Sequence, residues 1–583
     1  MLKKYNRFEL SEKDVTSQLG RQPSEIEYKL LEHFFYSRYL SNPIPELRNI
    51  FAKNSKPILH TDSHTFVVGI ESKNSITGSS SLRTQYACGT KPALTYHSSF
   101  SKITIGRIDK DKKLNYPIHG NESLFFIQDG ANLKKVCSEI IDLGHVSIFI
   151  VHPGSLGKVL LDLSKNSFGF DLTFSKMDDI KKLSDTKVHG VLCAGDPNLL
   201  SNINDICHKQ RLVNLSLGHL KSTHIISLLI QNNVKASLSL ASFFHSEPSS
   251  QTLTPVVKMQ ENQTEKKTVK ELKNYSRQVL TIWKSIKKQK LNYLKPEKYS
   301  IGTMAIYKRK KEMALAVPDN SHYLKNNIKT GTRILIANAS RQLVNKGFKP
   351  VGFTMIMHGV DLRKNDDQWE MQEMYSRAVE TSQLLKMKLI NPLITSDNVR
   401  PDLEICVFGE KIVNTITVDE SFQNENNFIT LLGSHRGELN GSLYQKEIQK
   451  ISSKSVPSVD LRMEARLQEV ILQGIQTRLI KSVSNVSNGG LAAALANSLS
   501  QSEEGIGARI HLSRKLRQDE MLFGETQGLV IVTIEESDLM EFERICMTIG
   551  IPSTTIGRVT GDGRLKFNDV VNIAREDLLM HDG

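Results

Sequence analysis

The stretch that decides the fold runs from Leu522 to Gly550 and reads LFGETQGLVIVTIEESDLMEFERICMTIG. Within it, Leu529–Ile534 is a short apolar run rich in β-branched residues, which is typical of a buried strand. Ser537–Ile549 follows with apolar residues at helical spacing, which predicts a helix. A strand followed directly by a helix is the repeating unit of a layered α/β protein.

The same alternation extends outward from this stretch through the C-terminal half of the chain. Predicted helices are Arg333–Lys346 ending at Gly347, Met371–Lys386, Leu467–Ile480, and one that starts at Asn488-Gly489-Gly490 and runs through Ala496. Predicted strands are Gly352–Met357, Asp402–Phe408 and Asn427–Leu432. The N-terminal half has apolar segments of the same kind at Thr65–Ile70, Ser123–Ile127, Val146–Val151 and Val188–Cys193. The fold class is therefore α/β, with α+β layers.

Length and composition exclude several classes of protein. A chain of 583 residues predicts three to five domains at roughly 100–200 residues each. The longest apolar stretches, such as His145–His152, fall short of the roughly 18–20 residues that a membrane span needs. The six cysteines are scattered singly, and the N-terminus lacks the apolar core of a secretory signal. A reducing compartment, cytoplasm or mitochondrial matrix, is expected rather than secretion.

The positive charge of the chain is concentrated in one segment. Residues 256–312 hold 16 Lys and Arg against 5 Glu, which is most of the formal charge of +14. Within this segment an amphipathic helix is predicted from about Thr268 to Gln289. Its apolar stripe comprises Val269, Leu272, Val279, Trp283 and Ile286.

Three explanations of the basic segment remain open. The first is a linker helix docked by its apolar stripe, with a solvated basic face. The second is contact with an anionic partner such as RNA, for which the candidate residues are Lys284, Lys287, Lys288 and Lys290. The third is a nuclear address at Lys308–Lys311. The polar stretch Ser246–Gln263 precedes the basic helix and separates two halves of similar α/β character.

Several motifs along the chain resemble one enzyme family. They are Leu19-Gly20-Arg21-Gln22-Pro23, Ile70-Glu71-Ser72-Lys73-Asn74, Gly347-Phe348-Lys349-Pro350, residues 432–444 (LGSHRGELNGSLY), Asn485-Val486-Ser487-Asn488-Gly489-Gly490-Leu491 and Leu522-Phe523-Gly524-Glu525-Thr526-Gln527. Together they resemble the phosphoribosylformylglycinamidine synthases of purine biosynthesis, also called formylglycinamide ribonucleotide amidotransferases. The length resembles the short form of that family, which works with separate glutaminase and small subunits.

The resemblance implies an architecture of two copies of an aminoimidazole-ribonucleotide-synthetase-like unit, each with two subdomains, joined by a basic linker helix. The implied boundaries are an N-terminal helical segment 1–50, A-type and B-type subdomains at 51–118 and 119–250, a linker 251–312, and a second pair of subdomains at 313–425 and 426–583. The basic segment falls at the implied junction between the two copies.

The resemblance also implies a reaction that needs ATP and magnesium, and this chain departs from the family at the residues that serve it. Magnesium prefers charged oxygen ligands, so replacing Asp with Asn weakens its site. Asn485 and Asn488 stand at the two Asp positions of the glycine box, and Met355 stands where the family has a strand Asp. Of the turn after that strand only Gly359 remains.

The N-terminal half departs further. Arg38 falls at the position of the family's catalytic histidine, and a guanidinium stays protonated and cannot act as a general base. The glycine-rich phosphate loop is reduced to Gly78-Ser79-Ser80-Ser81. A second glycine-containing segment, Gly154–Val159, lacks the spacing and the Ser or Thr of a P-loop.

A set of residues that could hold a vestigial nucleotide survives in the family's pattern. These residues are Glu71, Asn74, Gly359, Asn398, Gly489, Gly490 and Glu525. Two explanations remain open for the glycines and Glu525: packing of a turn and a strand, or a residual structural nucleotide site.

The function predicted from the sequence is a degenerate, non-catalytic member of this family. It would act as a structural or interaction component and dock an anionic partner through its basic linker. The alternative is a divergent active synthase that uses ATP and magnesium and works with glutaminase and small subunits. If the protein is non-catalytic, no metal-binding or catalytic residue is expected.

Overall fold

A computed structural model describes most of the chain. The described residues are 12–41, 58–60, 65–72, 94–97, 101–107, 118–151, 154–164, 168–185, 187–243, 270–293, 304–305, 313–318, 321–358, 365–390, 392–394, 402–412, 418–451, 453, 455–513 and 515–579. The chain forms two compact units, Met1–Thr254 with Asp361–Gln368, and Pro255–Val360 with Trp369–Gly583. Over the described residues no helix is long and apolar enough to cross a membrane.

The first unit begins with two helices and a small sheet. The helices are α1 (Glu12–Leu19) and α2 (Glu25–Ser41). The first sheet is antiparallel in the order β1-β2-β4-β3. Its strands are β1 (Ile58–His60), β2 (Thr65–Ser72), β3 (Leu94–His97) and β4 (Ser101–Arg107).

The second sheet of this unit has seven strands in the order β11-β10-β7-β9-β5-β8-β6. The strands are β5 (Ser123–Gln128), β6 (Val146–Val151), β7 (Gly169–Phe174), β8 (Gly190–Gly195), β9 (Asn214–Lys221), β10 (Ile225–Ile230) and β11 (Asn233–Ser239). Three helices accompany it, α3 (Leu133–Leu143), α4 (Leu156–Ser164) and α5 (Leu200–Lys209).

Alternating apolar residues of the second sheet supply two hydrophobic clusters, as the period of two in a strand requires. Leu124 and Phe126 pack in a cluster that also contains Phe34 of α2 and Leu160 of α4. Phe125 and its neighbours on the opposite face pack with residues of α3 and α5. Helices therefore cover both faces of this sheet.

The second unit also contains a smaller sheet. The third sheet has the order β12-β13-β17-β14-β15, with β16 also paired to β14. Its strands are β12 (Met304–Ala305), β13 (Met313–Ala316), β14 (Phe348–His358), β15 (Lys388–Leu389), β16 (Leu393–Ile394) and β17 (Asp402–Lys411). The helices in this part of the chain are α6 (Ser276–Tyr293), α7 (Ser321–Asn326), α8 (Ile328–Val344) and α9 (Asn365–Leu384).

The fourth sheet has seven strands in the order β19-β21-β18-β22-β20-β23-β24. The strands are β18 (Phe428–Leu432), β19 (Ile480–Val486), β20 (Gly507–Ile510), β21 (Leu529–Ile534), β22 (Ser553–Thr560), β23 (Arg564–Phe567) and β24 (Val571–Ala574). Its helices are α10 (Leu461–Gln476), α11 (Gly490–Ser500), α12 (Gln518–Phe523), α13 (Leu539–Ile549) and α14 (Arg575–Leu579).

The two seven-stranded sheets have the same topology. If the strands of each sheet are numbered one to seven in chain order, both sheets show the same spatial order once one of them is read from its opposite edge. In each sheet the third and sixth strands form the parallel pair. Both also carry an irregularity next to the first strand, at Leu124/Phe125 and at Ile429/Thr430. At each irregularity a glycine, Gly218 or Gly557, lies where a Cβ would run into a backbone carbonyl. The expected two copies of one layered α/β unit are confirmed at the level of fold.

Most of the predicted elements are confirmed, with one clear error. Leu529–Ile534 is strand β21, fully buried. The helix predicted to end at Gly347 is α8, and Gly347 has a φ of +78° that permits the turn after it. The prediction of a helix over Leu467–Ile480 was wrong at its C-terminal end. That helix stops at Gln476, because Arg478 turns the chain at a φ of +64° and Ile480 begins strand β19.

The predicted basic helix exists but begins later than expected, at Ser276. Its buried face consists of Val279, Ile282 and Trp283, which pack in the same hydrophobic cluster as α11 and the fourth sheet. Leu272, expected on the apolar stripe, precedes the helix and is 40% exposed. Val269 lies outside the described residues. The helix is docked by an apolar face onto the second unit.

Candidate functional site

Glu525, in the segment between α12 and β21, is a buried carboxylate with three hydrogen bonds. Its side chain is 0% exposed. Oε1 accepts hydrogen bonds from the backbone N–H of Gly489 at 2.7 Å and of Leu443 at 2.8 Å. Oε2 accepts a hydrogen bond from the hydroxyl of Tyr323. One carboxylate therefore joins three segments that are distant in the sequence.

Burial raises the pKa of Glu525 from its ordinary 4.5 to about 7, although hydrogen bonds from Tyr323, Gly489 and Leu443 act in the opposite direction. Desolvation disfavours the charged form, and here it outweighs three donors. Burial, with the neighbouring carboxylate, also raises the pKa of Tyr323 well above its usual value. Glu525 therefore exchanges a proton near neutral pH while Tyr323 keeps its own.

A histidine stands beside this pair. The His322 ring centre lies 3.9 Å from that of Tyr323, and its Nε2 lies 4.0 Å from Oε2 of Glu525. Burial, with smaller contributions from Lys446 and Lys325, lowers the pKa of His322 to about 4. The imidazole is therefore neutral at neutral pH, next to a carboxyl group that is partly protonated there.

The two glycines of the glycine box form the turn into α11. Gly489 has a φ of +81° and Gly490 a φ of +67°, a region that favours glycine. A Cβ on Gly489 would lie 2.7 Å from Ile282 Cγ2 of the basic helix. The N–H of Gly489 is bonded to Glu525, and that of Gly490 donates to the carbonyl of Ser487 at 2.9 Å. Both amides are used within the protein, which favours turn packing as the reason for the glycines.

Asn485, one of the two amides at the family's Asp positions, belongs to a buried polar network. Its Oδ1 accepts a hydrogen bond from Nη1 of Arg341 at 3.0 Å, and its Nδ2 donates to Oδ1 of Asn338 at 2.6 Å. Arg341 is 0% exposed, and its Nε donates to Oε1 of Glu464 at 2.9 Å. Gln468 donates to the same carboxylate oxygen at 3.0 Å. The network joins α8, α10 and β19.

These residues do not fit a magnesium ion. A guanidinium is bonded to the oxygen that Asn485 would offer, and a second cation there would be repelled. Met355 is fully buried within β14 and brings no oxygen ligand. Asn488 lies half-buried two residues before α11. Among the described residues no group of three or more His, Cys, Asp or Glu is placed to hold a metal.

The structure brings only part of the predicted set together. Gly489, Gly490 and Glu525 meet in one cluster, with Asn485 in the adjoining network. Glu71 lies on β2 and Arg38 on α2, and their side chains lie outside the described part of the structure. Three further predicted residues lie entirely outside the described part of the structure: Asn74, Gly359 and Asn398.

The basic helix makes specific contacts at its predicted partner-binding lysines. Trp283 Nε1 and Lys287 Nζ both donate to the carbonyl of Leu578, at 3.2 and 2.9 Å. Lys287 also lies 5.4 Å from the centre of the Trp283 ring. Lys284 is exposed, and the side chains of Lys288 and Lys290 lie outside the described residues. Lys287 thus helps to fix the C-terminal helix α14.

Tyr323, His322 and Arg341 were not predicted from the sequence. Each lies on α7 or α8, more than 120 residues before its partner carboxylate Glu525 or Glu464. Glu525 could be predicted because it belongs to a family motif. Tyr323 lies on a short helix after a basic segment, and no sequence pattern there indicates that a tyrosine is buried. Arg341 is a charged residue at a core-facing position of a helix. A charged residue in such a position is the sequence signal that could have identified it.

Comparison with known proteins agrees with this fold. The family of AIR synthase related proteins, C-terminal domain, matches residues 424–570. The phosphoribosylformylglycinamidine synthase subunit PurL of Thermoanaerobacter sp. (strain X514) is 29% identical over 260 residues, 43% of this chain and 35% of the relative. The same subunit of Symbiobacterium thermophilum is 31% identical over 272 residues, 44% of this chain and 34% of the relative. The aligned part spans about a third of these relatives.

Solved structures cover more of the chain. Thermotoga maritima PurL complexed with FGAR aligns with a TM-score of 0.57 at 12% identity, covering 94% of this chain and 99% of that one. The structure of PurLQS from the same organism aligns at 0.55 with the same coverage. Residues 424–570 are thus an AIR synthase related C-terminal domain. Over most of its length the chain has the fold of PurL.

Proposed function

We propose that this PurL-like protein is a non-catalytic component of an assembly rather than a working synthase. The observation that carries the proposal is the bond between Asn485 and Arg341. At a position where the family resemblance implies a magnesium carboxylate, this chain has a neutral amide held by a buried guanidinium.

The charges around Asn485 support this proposal. Arg341 is ion-paired to the buried Glu464, so the one carboxylate of the network is already neutralised by a cation of the protein. A magnesium ion bound to Oδ1 of Asn485 would have to displace Arg341, which is also the cation paired with Glu464. Breaking a buried pair in this way costs about 3–5 kcal/mol, which opposes metal binding there.

The proposed role is that of an interaction component. The name PurLQS of the T. maritima structure describes an assembly that contains PurL, and we propose a comparable multi-subunit setting for this chain. The basic segment 256–312 would contact an anionic partner such as RNA. The candidate residues for that contact are Lys284, Lys287, Lys288 and Lys290, of which Lys287 also donates to the carbonyl of Leu578.

The alternative is an active synthase that makes formylglycinamidine ribonucleotide from formylglycinamide ribonucleotide, ATP and ammonia or glutamine. The observation that favours it is the intact cluster of Glu525, Gly489 and Tyr323. The T. maritima PurL structures are described as complexed with FGAR and with ATP. In this alternative the nucleotide would be held largely by residues outside the described ranges.

A turnover assay separates the two functions. Purified protein would be supplied with formylglycinamide ribonucleotide, ATP, magnesium and ammonia, and we expect no formation of the amidine. Turnover of roughly 1 per second or more, within the range of ordinary enzymes, would overturn the proposal. Restoring carboxylates as Asn485→Asp with Asn488→Asp is expected not to create activity, because Arg341 would then pair with the new carboxylate.

The RNA contact has its own test. Binding of a single-stranded RNA oligonucleotide would be measured at several salt concentrations, and counterion release predicts a steep loss of affinity with salt. Lys284→Gln, Lys288→Gln and Lys290→Gln together should flatten that slope. The matched control is Lys181→Gln with Lys235→Gln and Lys515→Gln outside the segment. An equal slope in both triple variants would remove RNA from the proposal.

A further inference from the structure

A groove of about 790 Å³ lies on the second sheet, and it has no place in the proposed function. It runs along β9 between the turn that precedes β5 and the start of α5. Most of its wall is apolar surface, and its polar side chains include Ser123, Thr173, Ser216, His219, Lys221 and Ser222. Pockets that hold small molecules have volumes of about 300–1,000 Å³, so the groove has room for a ligand larger than a simple ion.

A buried carboxylate holds the lysine and the histidine of the groove in place. Asp171 on β7 is only 6% exposed; it forms an ion pair with Lys221, and its carboxylate lies 3.3 Å from Nε2 of His219. His219 and Lys221 are two residues apart on β9 and project from the same face of the sheet. A buried carboxylate thus fixes a lysine and a histidine side by side at the groove.

The opposite wall is also rigid. Glu122 is buried, and its carboxylate accepts hydrogen bonds from the N–H groups of His119, Gly120 and Asn121 at 2.6 to 3.1 Å. These bonds hold the turn that carries Gly120 and Asn121 into the groove. Backbone amides bind this carboxylate, and among the residues that line the groove the charged side chain is that of Lys221, next to the imidazole of His219.

The corresponding place in the fourth sheet is filled. Strand and bulge registers make Phe428 the counterpart of Ser123, and Arg558 the counterpart of His219. Arg558 stacks on the ring of Phe428 at 3.9 Å and pairs with Glu536 at 3.3 Å. The first copy of the unit therefore has an open groove because a serine replaces the phenylalanine and a histidine replaces the arginine.

We propose that this groove binds a phosphorylated small molecule of sugar-phosphate size. Lys221 and His219 would bind the phosphate, since ammonium and imidazole N–H groups are strong donors to phosphate oxygens. The hydroxyl groups of Ser123, Ser216 and Ser222 would hydrogen-bond to the hydroxyl groups of the sugar. The site belongs to the first unit alone and does not depend on the proposed function.

The test uses glucose 6-phosphate as the probe and calorimetric titration of the full chain as the measurement. Two variants alter the groove: Lys221→Gln removes the charge but can still donate to Asp171, and Ser123→Phe fills the groove as the fourth sheet does. Lys181→Gln is the matched control, since Lys181 is an exposed lysine of the same unit paired with Asp178. We expect each groove variant to weaken binding at least tenfold, and the control to leave it unchanged.

Glucose and inorganic phosphate serve as further probes. Weaker binding of glucose than of glucose 6-phosphate supports the role of the phosphate. Equal binding of the two sugars overturns it. Absence of saturable binding to the wild-type chain, or equal affinity in wild type and Lys221→Gln, overturns the whole proposal. Lys221→Gln tests the role of the charge without filling the groove. If the Ser123→Phe chain fails to fold, Lys221→Gln therefore still tests the proposal.

Discussion

In both seven-stranded sheets a glycine with positive φ follows the second strand, and its N–H has a different partner in each. Gly154 follows β6 by three residues, as Gly489 follows β19, and both have a positive φ, +74° and +81°. In the first copy the N–H of Gly154 donates to the backbone carbonyl of Asp185 at 3.1 Å. In the second copy the N–H of Gly489 donates to the carboxylate of Glu525.

The difference teaches that this turn does not need a charged partner. A carbonyl serves equally well in the first copy, so turn formation alone does not explain why a carboxylate is buried in the second. Glu525 also accepts hydrogen bonds from Leu443 and Tyr323, which are distant in the sequence, whereas the carbonyl of Asp185 accepts its second bond from the nearby N–H of Val188. In the second copy a titratable carboxylate therefore stands where the first copy has a neutral backbone carbonyl. This carboxylate joins segments that are distant in the sequence, and its hydrogen bonds depend on pH.

The two copies also differ at the penultimate residue of their second strands, β6 and β19. The residue that precedes the last position of β19 is Asn485, and its counterpart in β6 is Ile150, which packs against the apolar cluster of α3 and α5. The first copy has a hydrophobic residue where the second has an amide in the Arg341 network.

The largest effect is expected from breaking that network. Arg341→Ala removes the cation beside the buried carboxylate of Glu464 and leaves its hydrogen bond from Gln468 in place. Losing one partner of a buried ion pair costs about 3–5 kcal/mol, and we expect the free energy of unfolding in urea to fall by that amount. The measurement is the midpoint and slope of a urea titration followed by circular dichroism.

The control for this prediction is an exposed ion pair of the same unit. Arg544→Ala removes the partner of Glu541 on α13, where both side chains are largely exposed. Surface pairs of this kind contribute about 0–1 kcal/mol. Similar losses in Arg341→Ala and Arg544→Ala would show that the buried network does not distinguish the second copy.

The next effect concerns pH and Glu525. Below its ordinary pKa of 4.5 the carboxyl group is protonated in folded and unfolded chains alike. Between 4.5 and about 7 only the unfolded chain ionises, so the stability that this group contributes falls as the pH rises and is lost above about 7. A shift of this size corresponds to about 3 kcal/mol.

Glu525→Gln isolates this contribution, because an amide does not titrate. Its oxygen can accept from Gly489 and Leu443, and its NH₂ group can donate to Tyr323. We expect the free energy of unfolding of the variant, relative to wild type, to increase by up to about 3 kcal/mol from pH 4.5 to pH 8. A difference that stays constant with pH would mean that Glu525 is ionised throughout.

A smaller effect isolates the packing around the glycine turn of the second copy. Alanine at a positive φ costs about 1–2 kcal/mol, which applies to Gly489→Ala and to its control Gly505→Ala, at φ of +81° and +83°. At Gly489 the new methyl group would also lie 2.7 Å from the Cβ of Ala493 and from Cγ2 of Ile282, whereas at Gly505 it would meet nothing within 4 Å. We expect Gly489→Ala to lose about 1–3 kcal/mol more than Gly505→Ala in urea unfolding, as overpacking does. Equal losses would show that the basic helix yields to the methyl group.

The local fold could be predicted from the sequence, and the site only in part. Leu529–Ile534 and Gly489–Gly490 follow from apolar runs and turn chemistry, which act over a few residues. The partners of Glu525 could not be predicted, because Tyr323 and Leu443 approach it through tertiary packing from 202 and 82 residues away. The start of the basic helix was misplaced because Leu272 fits the helical period, although it is 40% exposed.

The smallest effect tests the helices that cover the two glycine turns. In the first copy Ser37 of α2 accepts a hydrogen bond from the N–H of Lys158 at 2.9 Å, and in the second Lys287 of α6 donates to Leu578. Lys287→Met keeps the apolar stem and removes this bond, so we expect a loss of about 1 kcal/mol and a lower thermal midpoint. Lys181→Met, at an exposed pair, should change the midpoint less. If Lys287→Met leaves stability unchanged and weakens RNA binding, Lys287 faces a partner rather than α14, and the lysines of α6 act as one surface.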